Sequence, residues 1–208
     1  LRKLGLTPSV FHMNEGHSAF AALESTRLRM QVEGLSPWEA MLRVSRRNVF
    51  TTHTPVIQGN ESHPIDRILY MGANLGFTES QLQRLGGSPF NMTVGALRMA
   101  RRSNGVAELH AVTANKMWAH IPDRCEIIPI TNAIHLPTWV DHNMIRTAEA
   151  GGDLWQAHMK NKEDLVAFVR ARNGAELDPD KLIIGFSRRS VPYKRSDLIL
   201  SKPEIIDP

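Results

Sequence analysis

Apolar and β-branched residues fall in short runs along this chain, and several runs close on a cluster of polar side chains. Residues 49–52, Val-Phe-Thr-Thr, read as a buried strand. His53 follows directly, and Pro55 breaks the ladder because it has no N–H to donate. Upstream, residues 9–12 read as a strand, with Asn14 as N-cap and Glu15 in the first turn of a helix that runs to about Gln31 and stops at Gly34. Ser36-Pro37-Trp38-Glu39 is a capping box with proline at the first helical position, which predicts a helix to about Arg47.

The same alternation continues. Residues 64–71 predict a helix. Thr78 to Gln81 is a second capping box, whose helix closes at Gly86-Gly87. Residues 91–102 predict a helix with Met92, Leu97 and Met99 among its apolar positions. Ser103-Asn104-Gly105 reads as a break, and residues 106–118 as a further helix. Residues 126–131, Glu-Ile-Ile-Pro-Ile-Thr, are strand-like, with Pro129 placing the strand at an edge or bulge. After Gly151-Gly152, residues 153–172 predict a long amphipathic helix with Leu154, Trp155, Leu165, Phe168 and Val169 on its buried side. Residues 182–186 read as a fourth, buried strand. Strands separated by helices predict a layered α/β architecture.

Composition narrows the function classes. With 25 Lys and Arg against 21 Asp and Glu among 208 residues, the net charge of +4 suits an anionic ligand and is too small to argue for nucleic acid. A single cysteine, Cys125, excludes an internal disulfide and fits a reducing compartment. No run is long and apolar enough to span a bilayer, and the first residues have no signal-peptide pattern. The first residue is not Met, and the chain stops abruptly at SKPEIIDP, so both ends read as cuts.

The polar clusters carry the candidate chemistry. Open α/β sheets present ligand-binding side chains at the carboxyl ends of their strands. Glu15 and His17, His53, Asn132, and Arg189 with Lys194 each follow a predicted strand. Histidine and asparagine both donate and accept, which suits sugar hydroxyls. Arg188, Arg189, Lys194 and Arg195 put four cations within eight residues, which suits phosphate, although a bare charge run is more commonly a solvated loop. His12 and His17 lie five apart, not at the spacing of a helical metal pair, and no cysteine cluster supports a metal site. Acyl-hydrolase, P-loop and dinucleotide fingerprints are absent.

Five ordered motifs, FHMNEGHSAF, VFTTHTPVIQGN, NMTVGALRMARRSNGVAELH, ITNAIHLPTW and FSRRSVPYKRSDLIL, resemble the α-glucan phosphorylases, closest to the shorter bacterial and archaeal type. The resemblance implies a GT-B glycosyltransferase fold of two Rossmann-like lobes, only partly covered here. Residues 1–134 would be the end of the N-terminal lobe and 135–208 the start of the C-terminal lobe. It implies a cytoplasmic hexosyltransferase that phosphorolyses terminal α-1,4-linked glucosyl units of a glucan to glucose 1-phosphate. Pyridoxal phosphate would be the cofactor, inorganic phosphate the co-substrate, and a homo-oligomer is left open.

By motif, His53 stands where the family's histidine contacts the glucosyl unit through its 6-hydroxyl and its backbone carbonyl. Asn132 matches the asparagine on the same hydroxyl, and Arg189 and Lys194 match the cations that hold substrate phosphate. Glu15 and His17 lie on the motif that lines the substrate channel. Three departures stand out: Ala133 where glycine is usual, Pro192 before Tyr193, and His110-Ala111-Val112-Thr113-Ala114 in place of an HGEVS-like segment. The family's Gly-rich loop and its Schiff-base lysine motif do not occur in this chain. The expectation is therefore an internal segment without phosphorylase activity of its own. Two alternatives stand beside it: a nucleotide-sugar-dependent glucan synthase, and a non-catalytic module that binds glucan or a subunit.

Overall fold

The structure, a computed structural model, describes residues 1–202 without the side chains of Arg2 and Ile199. Residues 203–208, the last of the SKPEIIDP end, lie outside it. The chain divides into two compact units, Leu1–Asn132 and one beginning at Ala133.

The first unit is built on a parallel sheet. Strand β1 (Phe11–Asn14) leads through a 3-10 turn at Gly16–Ser18 into helix α1 (Ala19–Glu33), which ends on left-handed Gly34. Helix α2 (Pro37–Ser45) starts on the Ser36–Glu39 capping box and feeds β2 (Asn48–Thr52). Next comes β3 (Ser62–His63), then α3 (Ile65–Tyr70), α4 (Glu79–Gly86) on its Thr78–Gln81 capping box, and β4 (Phe90–Asn91). Helix α5 (Met92–Arg98), capped by Asn91, leads to β5 (Arg102–Gly105), helix α6 (Glu108–Met117) and β6 (Ile127–Pro129). Strands β1, β2, β5 and β6 pair in that order, all parallel, while β3 and β4 form a small antiparallel pair.

Sequence and structure differ informatively here. Asn14 is the last residue of β1 and not a helix N-cap. Glu15 caps the 3-10 turn instead, its side chain accepting the Gly16 N–H at 3.1 Å. The helix expected over 91–102 stops at Arg98, and Arg102–Gly105, read above as a break, is a strand with neighbours on both sides. Nothing in Arg-Ser-Asn-Gly favours a strand. Main-chain pairing to β2 and β6 and two side-chain links hold it: Ser103 Oγ lies 2.7 Å from Cys125 Sγ, and Asn104 Oδ1 accepts from Thr51 Oγ1 at 2.7 Å. Pro129 sits on edge strand β6, where a missing N–H costs least.

The core lies between the sheet and its helices. Phe50, Leu23, Leu82, Leu85, Phe90 and Leu97 are fully buried in it, and Met92 and Met99 pack there as ordinary apolar residues. Asn48 ties the start of β2 to the end of α5 through a buried bond from its Nδ2 to the Met99 carbonyl at 3.0 Å.

In the second unit, α7 (Leu136–Trp139) precedes α8 (His142–Glu149), capped by Asp141, and α9 (Leu154–Asn173), capped by Asp153 and stopped by left-handed Gly174. The length of α9 is as expected, but its apolar side is not buried. Trp155 is 68% and Phe168 63% exposed, Leu154 and Leu165 are exposed, Val169 is half-buried, and Ala157 alone is buried. Periodicity fixes which residues share a face, not what covers that face. Residues 182–186 form no strand. Leu182 and Ile184 are 85% and 70% exposed, and no strand pairs with them among the described residues. An apolar run becomes a strand only where a neighbour takes its N–H and C=O groups.

Candidate active site at the strand exits

Because the four strands are parallel, their carboxyl ends share one edge of the sheet. Asn14 and Glu15 leave β1 there, His53 and Thr54 leave β2, Val106 leaves β5, and Asn132 follows β6.

Glu15 organises the first two exits. Its φ of 75° and ψ of 163° are rare for a residue with a Cβ. From this backbone its Oε2 accepts the His53 N–H at 2.9 Å and the Thr54 hydroxyl at 2.8 Å. The Glu15 amide donates to the Thr51 carbonyl at 2.8 Å, so the turn is tied to β2 at both ends of the residue. His53 Nε2 meets Asn14 Oδ1 at 2.7 Å; that oxygen only accepts, so the proton is on Nε2. Nδ1 has no partner among the described residues and is left available as an acceptor. The exposed ring and half-buried Thr54 leave this side open to solvent.

A second chain of bonds runs across the sheet. Asn104 Nδ2 donates to the Gly105 carbonyl at 3.2 Å, which orients its Oδ1 to accept from Thr51 Oγ1 at 2.7 Å. Thr51 Oγ1 then accepts from His12 Nε2, also at 2.7 Å. His12 is thereby a sheet-edge donor, and no group of three or more His, Cys, Asp or Glu is placed to hold a metal among the described residues.

His110, on α6, named above only as the start of a departed motif segment, is a neighbour of the site. Its Nδ1 accepts the Val106 N–H at 3.1 Å, and its Nε2 is buried without a partner among the described residues. Burial, the largest influence, pushes its pKa below the ordinary 6.5; the Glu15 carboxylate pulls it up and His53 pulls it further down. The signal available in the sequence was the histidine three residues into a helix that follows a glycine, SNGVAELH.

The remaining expected site residues are less enclosed. His17 sits in the 3-10 turn beside Glu15 with an exposed side chain. Asn132 is exposed, and its main-chain N–H donates to the Val106 carbonyl at 3.0 Å. Arg189 and Lys194 belong to the second unit. There Val191 N–H donates to the Arg189 carbonyl and Lys194 N–H to the Val191 carbonyl, both at 3.0 Å, which folds the loop into a 3-10 turn at Pro192–Lys194. Lys194 Nζ lies 5.1 Å from the Tyr193 ring centre, a cation–π distance. Arg188, Lys194 and Arg195 line a pocket of about 520 Å³ with Gly185, Phe186, Ser187 and Leu198; Arg189 lies outside it. No carboxylate pairs with any of the four cations among the described residues.

Both local departures fit their backbone. Ala133 is not among the residues of positive φ, so it carries no left-handed strain. Pro192 starts the 3-10 turn, and Val191 before it is extended, at φ −137° and ψ 144°, the conformation that a following proline requires.

A mixed α/β unit with polar groups gathered at the carboxyl edge of a parallel sheet defines a ligand-binding fold of the open α/β class. Comparison with known proteins makes the assignment specific. No family model matches the chain. It is 34% identical to the maltodextrin phosphorylase of Thermococcus litoralis over 98% of its own length and 30% of that protein's. It is 33% identical to the glycogen phosphorylase of Mycobacterium tuberculosis, over 96% of this chain and 30% of the relative, and 28% identical to that of Aquifex aeolicus, over 98% and 37%. The chain is thus similar over nearly its whole length to glycogen and maltodextrin phosphorylases, and spans about a third of the length of the curated relatives it matches. Among the described residues no helix is long and apolar enough to cross a membrane.

Proposed function

We propose that the full-length protein is a cytoplasmic α-glucan phosphorylase of the GT-B fold. In that reading the first unit is the end of the N-terminal lobe and the second the start of the C-terminal lobe. The enzyme transfers the terminal α-1,4-linked glucosyl unit of a glucan to inorganic phosphate, giving glucose 1-phosphate. The observation that carries this reading is the clamp of Glu15 on the His53 amide, which holds His53 at the carboxyl edge of the sheet with Nδ1 free.

His53 and Asn132 then orient the glucosyl ring through its hydroxyls, as neutral groups that neither attract nor repel the phosphate. Glu15 and His17 line the channel, Glu15 chiefly by fixing His53. Arg189 and Lys194 bind the phosphate and stabilise the charge that gathers on it as the glycosidic bond breaks. Arg188, Lys194 and Arg195, which line one pocket and have no paired carboxylate among the described residues, form a donor set that fits a phosphate group, with Arg189 beside it in the chain. Pyridoxal phosphate, when bound, supplies a second phosphate that exchanges a proton with the substrate phosphate. This chain's residues fit that phosphate chemistry and offer no group that the resemblance assigns to the pyridoxal ring.

The test is glucose 1-phosphate release from maltodextrin and phosphate by the full-length protein. Release is expected, with Arg189→Ala raising the KM for phosphate and the isolated 208-residue chain inactive. A full-length protein that binds a nucleotide sugar and does not respond to phosphate would be a glucan synthase instead.

A further inference from the structure

Val106 joins two site elements through its main chain. Its N–H donates to His110 Nδ1 at 3.1 Å, and its carbonyl accepts the Asn132 N–H at 3.0 Å. The first bond locks the ring: with Nδ1 accepting, the proton of the neutral imidazole is on Nε2. The approach is close because residue 105 is glycine. A Cβ there would lie 2.9 Å from His110 Nδ1 and 3.0 Å from the Ala111 amide nitrogen. Gly105 also accepts the Ile130 N–H at 2.9 Å, so the exits of β5 and β6 are sewn together on either side of Val106.

We propose that His110 is a positioning residue for Asn132. Its ring fixes the Val106 main chain from which the Asn132 amide hangs, and so sets where the Asn132 side chain meets the ligand. What Asn132 touches, a glucosyl hydroxyl, rests on the phosphorylase reading; the mechanical link does not. Among the described residues Nε2 has no partner, so the bond from the Val106 N–H to Nδ1 is the one hydrogen bond the ring makes there. The ring also feels the charges of Glu15 and His53, which leave β1 and β2.

The test uses the full-length protein with His110→Phe, which has no acceptor, and His110→Asn, whose amide oxygen takes the place of Nδ1. The first readout is hydrogen exchange at the Asn132 amide, with the Met99 amide as a control. Phe is expected to speed exchange at Asn132 tenfold or more, and Asn to return it to within about threefold, as for the loss and regain of one hydrogen bond. The second readout is kcat/KM for maltodextrin, expected to fall about tenfold with Phe and to recover with Asn. With Asn132→Ala already present, His110→Phe should cost nothing further in kcat/KM. Unchanged Asn132 exchange in His110→Phe overturns the proposal, as does an equal kinetic loss with and without the Asn132 side chain. If His110→Phe does not fold, His110→Gln, whose acceptor sits one bond too far out, replaces it with the same expectations. A wild-type protein that forms no glucose 1-phosphate sinks the phosphorylase reading alone, and Asn132 exchange still decides the link.

Discussion

The Glu15 carboxylate holds the main chain of His53, not its ring: Oε2 accepts the His53 N–H at 2.9 Å while the ring is steadied separately by Asn14 at 2.7 Å. The position of the histidine and the orientation of its imidazole are therefore set by two different residues of one strand exit. Glu15→Gln keeps an acceptor oxygen but gives up the charge. A charge-assisted bond contributes about 1.5–3 kcal/mol against about 1 for a neutral one, so kcat/KM of the full-length protein for maltodextrin should fall on the order of tenfold. Wild-type kinetics in Glu15→Gln would reduce the carboxylate to a cap on the Gly16 turn.

Gly105→Ala should lower stability by crowding His110 and the start of α6. The new Cβ would stand 2.9 Å from His110 Nδ1 and 3.1 Å from the Ala111 Cα, and backbone on that side cannot swing away. Overpacking of this kind costs about 1–3 kcal/mol. Calorimetry should show a Tm lower by roughly 2–4 °C for each kcal/mol lost.

His110 should leave a mark on the pH dependence of stability. Burial holds its folded pKa below the ordinary 6.5, so the unfolded chain takes up a proton first as pH falls. Its contribution is complete above 6.5 and is lost as pH falls from there through the lowered folded value. Urea unfolding at pH 7.5 and pH 5.5 should show a smaller acid-side loss in His110→Phe than in the wild type. Equal losses would mean the ring is as solvated as in the unfolded chain.

Cys125 should be a poor nucleophile in the folded protein. Burial raises its thiol pKa, outweighing the lowering effects of Ser103, its own main-chain N–H and Arg124. Alkylation by iodoacetamide at pH 8 is expected to be at least about tenfold slower in the native protein than in urea. Equal rates in both would show that the Ser103–Cys125 contact opens readily.

Legibility in the sequence followed local chemistry. Ser36-Pro37-Trp38-Glu39, Thr78 to Gln81, Asp153 and the glycines at 34 and 174 mark helix ends through side-chain caps and left-handed stops, and the structure has them where the residues ask for them. Strand β2 was legible because Val-Phe-Thr-Thr is β-branched and apolar together. Strand β5 was not, because Arg-Ser-Asn-Gly is held by what its neighbours donate and accept rather than by its own propensity. Residues 182–186 err the other way, apolar enough for a strand yet without a neighbour among the described residues. Family motifs pointed to His53 and Glu15, but the clamp between them depends on β1 lying beside β2, a fact of tertiary pairing. The sequence marks His110 only as the start of a departed motif segment, because its role runs through a main-chain bond to Val106 that no motif spells out.

The order of the sheet also says something about how the unit is assembled. Phe11 faces Asn48, Val49 faces Arg102, and Ser103 faces Ile127. None of these partners is a hairpin neighbour, so each pairing must wait until an intervening stretch of helices and turns has closed a long loop. Helices α1 and α2, with caps already written into their ends, can form early and cheaply, whereas polar β5 has little reason to settle until β2 is there to receive it. Refolding of this unit should accordingly be slow for its size, with helical signal returning well before the sheet. The joining of β5 and β6 closes the shortest of the three loops, and it is the event that brings Val106 under Asn132 once β2 has received β5.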